Sequence, residues 1–407
     1  MWRSLQTAAA RERNSIISSK TKQLSALVLK KKTSFFQHHH HYHHGTNSIP
    51  RAFSTTSGGA IGGGGTGTSP DVAIQLDYFM SLQFAGIATA LVNNLYQTNG
   101  ISHLHFLPTC PVGHELSRVR SFQNNYPSTL AIFGSVEQNI FTITLHENPE
   151  LDVTGVASMF RRSPLCVASL GSNGASLKEG DVIGAHEDTV ELLSRIFPKQ
   201  QVVASPRGTK NMDLLKGVYQ GIQAYTTTEV PALYRLMKEQ HQGITETASS
   251  LVVTPLEGSH GDDVQLGYSQ MLFVANECLQ SNDRREAATA FLEATFQGWQ
   301  MAIRNPDDAI RAVAEAQKML KLDDESNDHW HDSFEFQREM LELCNNHVKE
   351  SFSGDRLGVL HEDRWGKATK WLLEGKKKKN GDGEDVNVDP LFGLDTTGLW
   401  QSVSQSS

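Results

Sequence analysis

The sequence predicts an α/β fold, and three observations support this prediction. Between residues 71 and 240, short β-rich runs alternate with helical patterns, as in strands joined by helical crossovers. From residue 270 onward the pattern is mostly helical. The part that can fold, residues 71–375, is long enough for two lobes or one large α/β domain.

The elements follow one another in a regular order. Strands are predicted at "VAIQLDYF" (72–79), "LHFLP" (104–108), "STLAIFG" (128–134), "VTGVASMF" (153–160), "PLCVASL" (164–170), "DVIGA" (181–185), "QVVAS" (201–205) and "IQAYT" (222–226). Helices are predicted at "FAGIATALVNNLYQ" (84–97), "GHELSRVRSFQ" (113–123), "DTVELLSRIF" (188–197), "MDLLKGVYQG" (212–221) and "EVPALYRLMKEQ" (229–240). Farther on, Asn305 and Pro306 start a new helix, with Asn as its cap and Pro at its first position.

The two ends of the chain differ from the middle. Residues 1–53 are basic, acid-poor and rich in Ser and Thr, which predicts a mitochondrial transit peptide and a mitochondrial location. Within them, the His-rich run 38–44 is interpreted as low-complexity sequence rather than as a metal site. Residues 54–70 predict a Gly-rich linker, and 376–407 predict a charged tail.

Composition excludes several classes of function. The net charge of −8 leaves no basic face for nucleic acid. No run approaches the roughly 20 apolar residues that span a membrane. The 4 cysteines are widely spaced and form no Cys-x-x-Cys motif, which indicates reduced thiols rather than a disulfide framework. No metal site or cofactor is predicted, and the oligomeric state stays open, with a homodimer as one option.

Polar side chains cluster where predicted strands end. In open α/β sheets, ligands bind beyond the carboxyl ends of the strands. The candidate ligand-binding residues are Asp77, Tyr78, Gln83, Ser135, Glu137, Gln138, Ser163, His186, Thr189, Tyr225 and Glu229. Tyr78 could stack on a heteroaromatic ring, and Asp77 could accept hydrogen bonds from ring nitrogens or an exocyclic amine.

Structural interpretations stay open beside these functional ones. Asp77 could cap its loop, Tyr78 could be a core aromatic, and Ser135 could be a loop cap. Core positions are predicted for Phe79 and Phe84. Elsewhere, Arg161 and Arg162 are typical of a solvated edge, while a hydroxyl in the run 226–228 could cap a helix. Cys110 and His114 could form a nucleophile or part of a metal site, but a structural role is favoured.

Five stretches, in this order, resemble one family of proteins. They are "LDYFMSLQFAGIATALVNNLYQTNGI", "VTGVASMFRRSPLCVASLGSNGASLKEGDVIGA", "LLKGVYQGIQAYTTTEVPAL" and "GYSQMLFVANECL" with "GWQMAIRNPDDAIRAVAE". The family unites periplasmic sulfonate-, nitrate- and pyrimidine-binding proteins with the fungal thiamine-pyrimidine synthase. The resemblance implies a two-lobed periplasmic-binding-protein-like fold of type II, with mixed sheets flanked by helices. Lobe one would comprise about 71–160 and 266–375, and lobe two about 161–265.

The resemblance also implies a function. The expected ligand is a small heterocyclic, pyrimidine-like metabolite held between the lobes and linked to thiamine-precursor metabolism. The synthase's Cys-rich iron motif is missing, because the matching stretch "DDVQLGYSQ" contains no cysteine. The synthase's Lys and His after its third strand are also absent from "GSVEQNIFT". Two alternatives therefore stay open: an enzyme of pyrimidine synthesis or salvage with a different site, or a non-catalytic sensor of small anions or sulfonates. No catalytic residue is predicted.

Overall fold

A computed structural model of the chain describes residues 71–125, 131–171, 177–206, 208–240, 250–257, 264–320, 333–349, 356–380 and 389–400. All of these residues belong to one compact unit, residues 63–407. The predicted leader, its His-rich run and the Gly-rich linker lie outside the described residues.

Among the described residues, the strands form two mixed sheets. The strands are β1 (Val72–Gln75), β2 (Leu104–Phe106), β3 (Ala131–Val136), β4 (Val153–Phe160), β5 (Leu165–Gly171), β6 (Val182–Ala185), β7 (Gln201–Ala204), β8 (Gly221–Tyr225), β9 (Ser250–Pro255) and β10 (Ser269–Ala275). Sheet one has the order β2-β1-β3-β10-β4, and sheet two has the order β7-β6-β8-β5-β9. Sheet one with its helices is called lobe one below, and sheet two with its helices is called lobe two.

The two sheets share one topology. In sheet one, β1 runs parallel to β2 and β3, and β10 runs antiparallel to both of its neighbours. In sheet two, β6 runs parallel to β7 and β8, and β5 runs antiparallel to both of its neighbours. The strand order therefore reverses between β1 and β3 in one lobe and between β6 and β8 in the other. Such reversals open a crevice at the carboxyl ends of the strands.

Helices cover the sheets, as the α/β prediction requires. They are α1 (Ala85–Val92), α2 (Leu95–Thr98), α3 (Glu115–Asn125), α4 (Gln138–Glu147), α5 (Val190–Ile196), α6 (Lys210–Leu215), α7 (Glu229–Gln240), α8 (Glu277–Gln280), α9 (Asn282–Arg304), α10 (Pro306–Met319), α11 (Phe334–Lys349) and α12 (Glu362–Asn380). Helices α1, α9, α10 and α11 bury apolar side chains on one face of sheet one, and α3, α4 and α12 cover the other face. Phe84 is fully buried in the first of these clusters, as predicted.

Two glycines let α1 and α9 approach closely. A Cβ on Gly298 would lie 2.1 Å from the carbonyl oxygen of Gly86. A Cβ on Gly86 would lie 2.2 Å from the indole ring of Trp299, which is fully buried. Only a residue without a side chain fits at either position. The two helices therefore pack directly against each other at these glycines.

Arg364 of α12 holds together the two segments that connect the lobes. Its Nε donates to the carbonyl oxygen of Arg161 at 2.9 Å, in the segment between β4 and β5. One terminal nitrogen donates to Glu257 Oε2 at 2.7 Å and to the carbonyl oxygen of Gly267 at 2.8 Å. Glu257 and Gly267 lie between β9 and β10. The chain passes from lobe one to lobe two in the first of these segments and returns in the second, so Arg364 ties the two crossings together.

Several predicted elements differ in length. The predicted helix 84–97 divides into α1 and α2, because Asn94 between them has a left-handed backbone with φ of 56°. The predicted helix 212–221 ends at Leu215, and Gly217 follows with φ of 72°. Part of the predicted charged tail packs on lobe one, where Trp400 is buried and its Nε1 donates to the carbonyl oxygen of Leu357 at 2.8 Å. That segment carries apolar side chains that a charged tail lacks.

Candidate functional site

Asp77 and Ser135 meet at the strand reversal of lobe one. Asp77 follows β1, and Ser135 lies near the end of β3, which pairs with β1 in parallel register. The Ser135 hydroxyl donates to Asp77 Oδ1 at 2.8 Å. Burial raises the pKa of Asp77 from 3.8 to about 6, although hydrogen bonds from Ser135 and Gln270 oppose this rise. The carboxyl group of Asp77 is therefore partly desolvated at the carboxyl end of β1.

Gln270 completes this group, and sequence reasoning missed it. Its Nε2 lies 3.4 Å from Asp77 Oδ2 and 3.4 Å from Gln83 Oε1, as a donor to both. Gln270 belongs to β10 and has a left-handed backbone, with φ of 52°. Such a conformation is strained for a residue with a side chain, and strain of this kind often accompanies functional sites. A polar residue inside the apolar run "SQMLFVA" was the available signal.

Glu137 lies between the two lobes at the start of α4. It is 4% exposed, and its Oε1 accepts a hydrogen bond from the Ser269 hydroxyl at 3.2 Å. The pKa of Glu137 is raised from 4.5 to about 8, first by burial and then by the nearby charge of Asp77. The charge of Asp188 acts in the same direction, whereas the hydroxyl groups of Ser269 and Tyr225 oppose it. Asp188 and Tyr225 belong to lobe two, so both lobes contribute to this environment.

Glu115 is a second enclosed carboxyl group, at the first position of α3. It is fully buried, and its Oε2 accepts a hydrogen bond from the backbone N–H of Gly113 at 2.8 Å. The pKa of Glu115 is raised from 4.5 to about 8, first by burial and then by the charges of Asp77 and Asp188. A helix N-terminus ordinarily favours an ionised carboxylate. Here burial has the larger effect.

In lobe two, a buried lysine lies between an acid and an imidazole. Lys210, the first residue of α6, is 2% exposed, and its Nζ lies 2.7 Å from Glu229 Oε1 and 2.7 Å from His186 Nε2. Glu229 Oε2 accepts hydrogen bonds from the backbone N–H of Tyr225 at 3.1 Å and from the Thr228 hydroxyl at 2.6 Å. Burial raises the pKa of Glu229, but Lys210 outweighs it and the net pKa is lowered. Glu229 is therefore ionised and paired with Lys210. Lys210 was not among the residues predicted from the sequence.

Tyr225 shows that the predicted residues of the two lobes share one space. Burial raises its pKa well above the ordinary value, and four neighbouring carboxylates raise it further: Glu137, Asp188, Glu229 and Asp77. Two of these belong to lobe one and two to lobe two. The name cleft group is used below for Asp77, Glu115, Glu137, Asp188 and Tyr225. Side chains at the ends of strands in both lobes therefore act on one another electrostatically.

Other predicted residues have structural contacts. Gln138 is fully buried: its Oε1 accepts from the backbone N–H of Tyr268 at 3.1 Å, and its Nε2 donates to the carbonyl oxygen of Trp365 at 3.3 Å. Its side chain therefore joins α4 to α12 and to the segment before β10. Ser163 Oγ accepts from the backbone N–H of Leu165 at 3.3 Å.

Thr189, His186 and Tyr78 complete the predicted set. The Thr189 hydroxyl donates to Gln223 Oε1, and the same oxygen accepts from the backbone N–H of His186 at 2.7 Å. Thr189 thus helps to position the turn that carries His186. Tyr78 is 39% exposed and packs on Phe79 with ring centroids 4.0 Å apart. Phe79 is only partly buried, so the core position predicted for it is not reached.

Cys110 borders the cleft group without the properties of an activated nucleophile. The charges of Glu115 and Asp77 raise the pKa of its thiol, and burial raises it more, to about 12. His114 is exposed. Within the described ranges, no group of three or more His, Cys, Asp or Glu side chains is arranged to hold a metal ion. Also within those ranges, no helix is long and apolar enough to cross a membrane.

Solved structures share this architecture. The periplasmic aliphatic sulphonate binding protein SsuA from Escherichia coli superposes with a TM-score of 0.51 and 9% sequence identity, covering 84% of this chain and 95% of that chain. The chain has the two-lobed periplasmic-binding-protein fold. A sulfonate-binding SsuA protein from Methylobacillus flagellatus KT gives a TM-score of 0.49 at 12% identity, covering 80% of this chain and 91% of that one. The nitrate-binding protein NrtA from Synechocystis PCC 6803 gives 0.46 at 8% identity, covering 81% and 86%.

At these identities the likeness shows the fold alone. The resemblance in fold to a sulfonate-binding protein, predicted from the order of sequence segments, is confirmed at that level. The resemblance to the fungal thiamine-pyrimidine synthase stays a prediction. The sequence matches no protein-family model and no curated protein.

Proposed function

We propose that the chain binds a small nitrogen heterocycle, of the aminopyrimidine kind, in the cleft between its lobes. The observation that carries this proposal is the convergence of Asp77 and Glu137 from lobe one with Tyr225 from lobe two. Ligand sites of small molecules are concave and hold a few convergent polar groups. Perturbed pKa values in such a cleft add support, because they cluster at functional sites.

The chemistry of these groups suits an aminopyrimidine edge. A ring nitrogen and its adjacent amine can face a carboxyl group through two hydrogen bonds. Asp77, with a pKa near 6, can accept these bonds when ionised and can share a proton with a basic ring nitrogen. Tyr78 is exposed beside it and can stack on the ring. The link to thiamine-precursor metabolism comes from the sequence resemblance and belongs to the proposal.

The same groups disfavour small anions such as sulfonate or nitrate. An ionised carboxylate repels an anion strongly where water is scarce. Lys210 supplies a positive charge, but Glu229 already accepts its hydrogen bond at 2.7 Å. The sulfonate- and nitrate-binding names belong to the structural relatives, and they define the comparison ligands for the test.

The test is a binding panel on the full-length protein. Isothermal calorimetry and thermal shift would compare 4-amino-5-hydroxymethyl-2-methylpyrimidine, thiamine, ethanesulfonate and nitrate. A ligand at one hundred times its dissociation constant stabilises a protein by about 2.7 kcal/mol. We expect the aminopyrimidine to bind and Asp77→Asn to weaken it at least about tenfold, since a charged hydrogen bond is lost. Glu342→Gln, at a side chain that is 62% exposed on α11, is the matched control. Binding of the anions alone would contradict the proposal.

We also propose a mitochondrial location, supported by the basic, acid-poor composition of residues 1–53. A fluorescent protein fused behind residues 1–53 should enter mitochondria. The matched control fusion replaces the basic residues of this segment with Gln. Equal distribution of the two fusions in the cell would contradict the proposal.

A further inference from the structure

The outer edge of sheet one is covered by residues 389–400, which are called the C-terminal segment below. Strand β4 forms this edge, and Leu394 pairs with Gly155 of β4 in parallel register. The backbone N–H of Gly155 donates to the carbonyl oxygen of Gly393 at 2.8 Å, and that of Asp395 donates to the carbonyl oxygen of Gly155 at 3.0 Å. The segment thus binds backbone groups of the kind that an edge strand otherwise offers to other chains.

The C-terminal segment reaches the apolar layers on both faces of sheet one. Leu394 is buried in the cluster that α4 and α12 form on one face. Leu399 and Trp400 are buried in the cluster on the other face. There the Trp400 ring stacks on Phe296 of α9, with ring centroids 5.1 Å apart. Because the burial of large apolar side chains stabilises a contact, these three side chains hold the segment to the sheet.

The segment also contains a turn that its own side chains stabilise. The Asp395 carboxylate accepts hydrogen bonds from the backbone N–H groups of Thr397 and Leu399, each at 2.8 Å. An aspartate that binds the backbone N–H two residues farther on favours a turn locally. At the surface, Arg285 of α9 donates to the Thr397 hydroxyl at 2.7 Å and to the Thr397 carbonyl oxygen at 2.9 Å. The segment therefore docks as a compact unit.

Two indole groups connect the segment to the start of α12. The Nε1 of Trp365 in α12 donates to the carbonyl oxygen of Phe392 at 3.0 Å. The Nε1 of Trp400 donates to the carbonyl oxygen of Leu357, which precedes α12, at 2.8 Å. The stretch of chain between these two contacts carries Arg364. The C-terminal segment thus holds both ends of the stretch that positions Arg364.

Arg364 in turn holds the segment between β9 and β10, where the chain returns from lobe two to lobe one. This segment is called the return crossing below. Arg364 donates to Glu257 Oε2 at 2.7 Å and to the carbonyl oxygen of Gly267 at 2.8 Å. Glu257 Oε1 accepts from the backbone N–H groups of Leu266 and Gly267, each at 2.8 Å. Hydrogen bonds between charged partners are stronger than neutral ones, so one carboxylate links Arg364 firmly to the backbone of the return crossing.

We propose that the outer edge of sheet one is a binding site for an extended peptide, that the C-terminal segment is its separable occupant, and that docking of this segment holds the return crossing in place through Arg364. The site recognises three features of its occupant: backbone that pairs with β4, a Leu side chain for one face of the sheet and a Trp side chain for the other. Release of the segment uncovers β4 and frees both ends of the stretch that carries Arg364. The return crossing then loosens, because docking and the position of Arg364 are linked.

Hydrogen exchange on the full-length protein, followed by mass spectrometry, tests this link. Leu394→Glu places a charge in the apolar cluster and should release the segment. Thr396→Glu is the matched control, because it adds the same charge at an exposed position of the same segment. We expect the backbone N–H groups of Gly155, Leu266 and Gly267 to exchange at least about tenfold faster in Leu394→Glu, and at the wild-type rate in the control.

A peptide supplied in solution tests whether the segment is separable. A fluorescein-labelled peptide of residues 389–400 should bind full-length Leu394→Glu, as measured by fluorescence anisotropy. Its binding should restore slow exchange at Leu266 and Gly267. The same peptide with Glu in place of its Leu394 is the control and should not bind.

A second variant covers the case in which Leu394→Glu does not fold, which circular dichroism would show. Arg285→Gln removes only the surface hydrogen bonds to Thr397. It should accelerate exchange at Gly155, Leu266 and Gly267 at least about twofold.

Three results would overturn the proposal. Faster exchange at Gly155 with unchanged exchange at Leu266 and Gly267 would mean that the segment covers the sheet edge without holding the return crossing. Failure of the peptide to bind a folded Leu394→Glu protein would mean that the segment is not separable. Wild-type exchange at all three N–H groups, in a folded Leu394→Glu or otherwise in Arg285→Gln, would contradict the link between docking and Arg364.

Discussion

Replacing Glu137 with Gln would remove a proton-binding group from the interior while keeping the shape of the side chain. Burial raises the pKa of Glu137 in the folded protein from 4.5 to about 8. The folded protein thus keeps a proton that the unfolded chain releases above pH 4.5. The stability associated with this proton is fully present below pH 4.5 and is lost as pH rises through 8. In Glu137→Gln, this part of the pH dependence should disappear.

The size of the effect follows from the two pKa values. Between them, the free energy of unfolding of the wild type falls by about 1.36 kcal/mol per pH unit for each such group. From pH 5 to pH 8, Glu137 alone accounts for a loss of roughly 3–4 kcal/mol. A change of 1 kcal/mol shifts the melting temperature of a chain of this size by roughly 2 °C. From pH 5 to pH 8, the melting temperature of the variant should therefore rise by about 6–8 °C relative to that of the wild type.

Differential scanning calorimetry at pH 5, 6, 7 and 8 would measure this difference. The control is Glu342→Gln, because this carboxylate on α11 is 62% exposed and should leave the pH profile unchanged. If the melting temperatures of the wild type and of Glu137→Gln change equally from pH 5 to pH 8, the reasoning is refuted. Such a result would mean that Glu137 ionises in the folded protein as easily as in the unfolded chain.

Three further changes test other parts of the structure. Gly298→Ala should lower the free energy of unfolding by at least about 2 kcal/mol, because the backbone of α1 blocks the new methyl group. The control Gly208→Ala, whose new methyl group would have nothing within 4 Å, should change the free energy of unfolding by less than about 0.5 kcal/mol. Urea unfolding compares the two variants. Lys210→Met should cost about 3 kcal/mol by leaving Glu229 without its partner, and adding Glu229→Gln should restore part of that loss in the same assay. Gln270→Gly should be about 1 kcal/mol more stable than Gln270→Ala, because the φ of 52° at this position favours glycine. Equal stability of the two variants would contradict the strain argument. Calorimetry should show weaker pyrimidine binding in both variants.

Part of the site could be predicted from sequence because it follows from strand ends. Asp77, Ser135 and Tyr225 each come at or just after a buried apolar run, and the family order of segments places those runs in neighbouring positions. The structure brings Asp77 and Ser135 to 2.8 Å and places Tyr225 within range of the Asp77 charge. These three residues could be predicted without knowing which distant residues pair with each other.

The rest of the site depends on contacts that local patterns do not contain. Gln270 reaches Asp77 from a strand 193 positions later in the chain, and β10 inserts antiparallel between β3 and β4. The alternation of strands and helices indicates parallel pairing, so it gives no reason to place this residue beside β1. Lys210 stands at the start of a short helix, where a lysine is ordinarily solvated. Only its contacts with His186 and Glu229 explain its burial.

The chemistry of Glu137 shows most clearly why a sequence cannot supply the charge of such a site. As a residue at the start of a helix, Glu137 would be assigned an ionised carboxylate, because the helix N-terminus favours negative charge. Its actual pKa of about 8 arises first from burial and then from Asp77 and Asp188, which lie 60 positions before it and 51 positions after it. Asp188 and Tyr225 of lobe two act on the same carboxyl group as Asp77 and Ser269 of lobe one. The charge state of Glu137 therefore depends on residues of both lobes, which no local sequence pattern brings together.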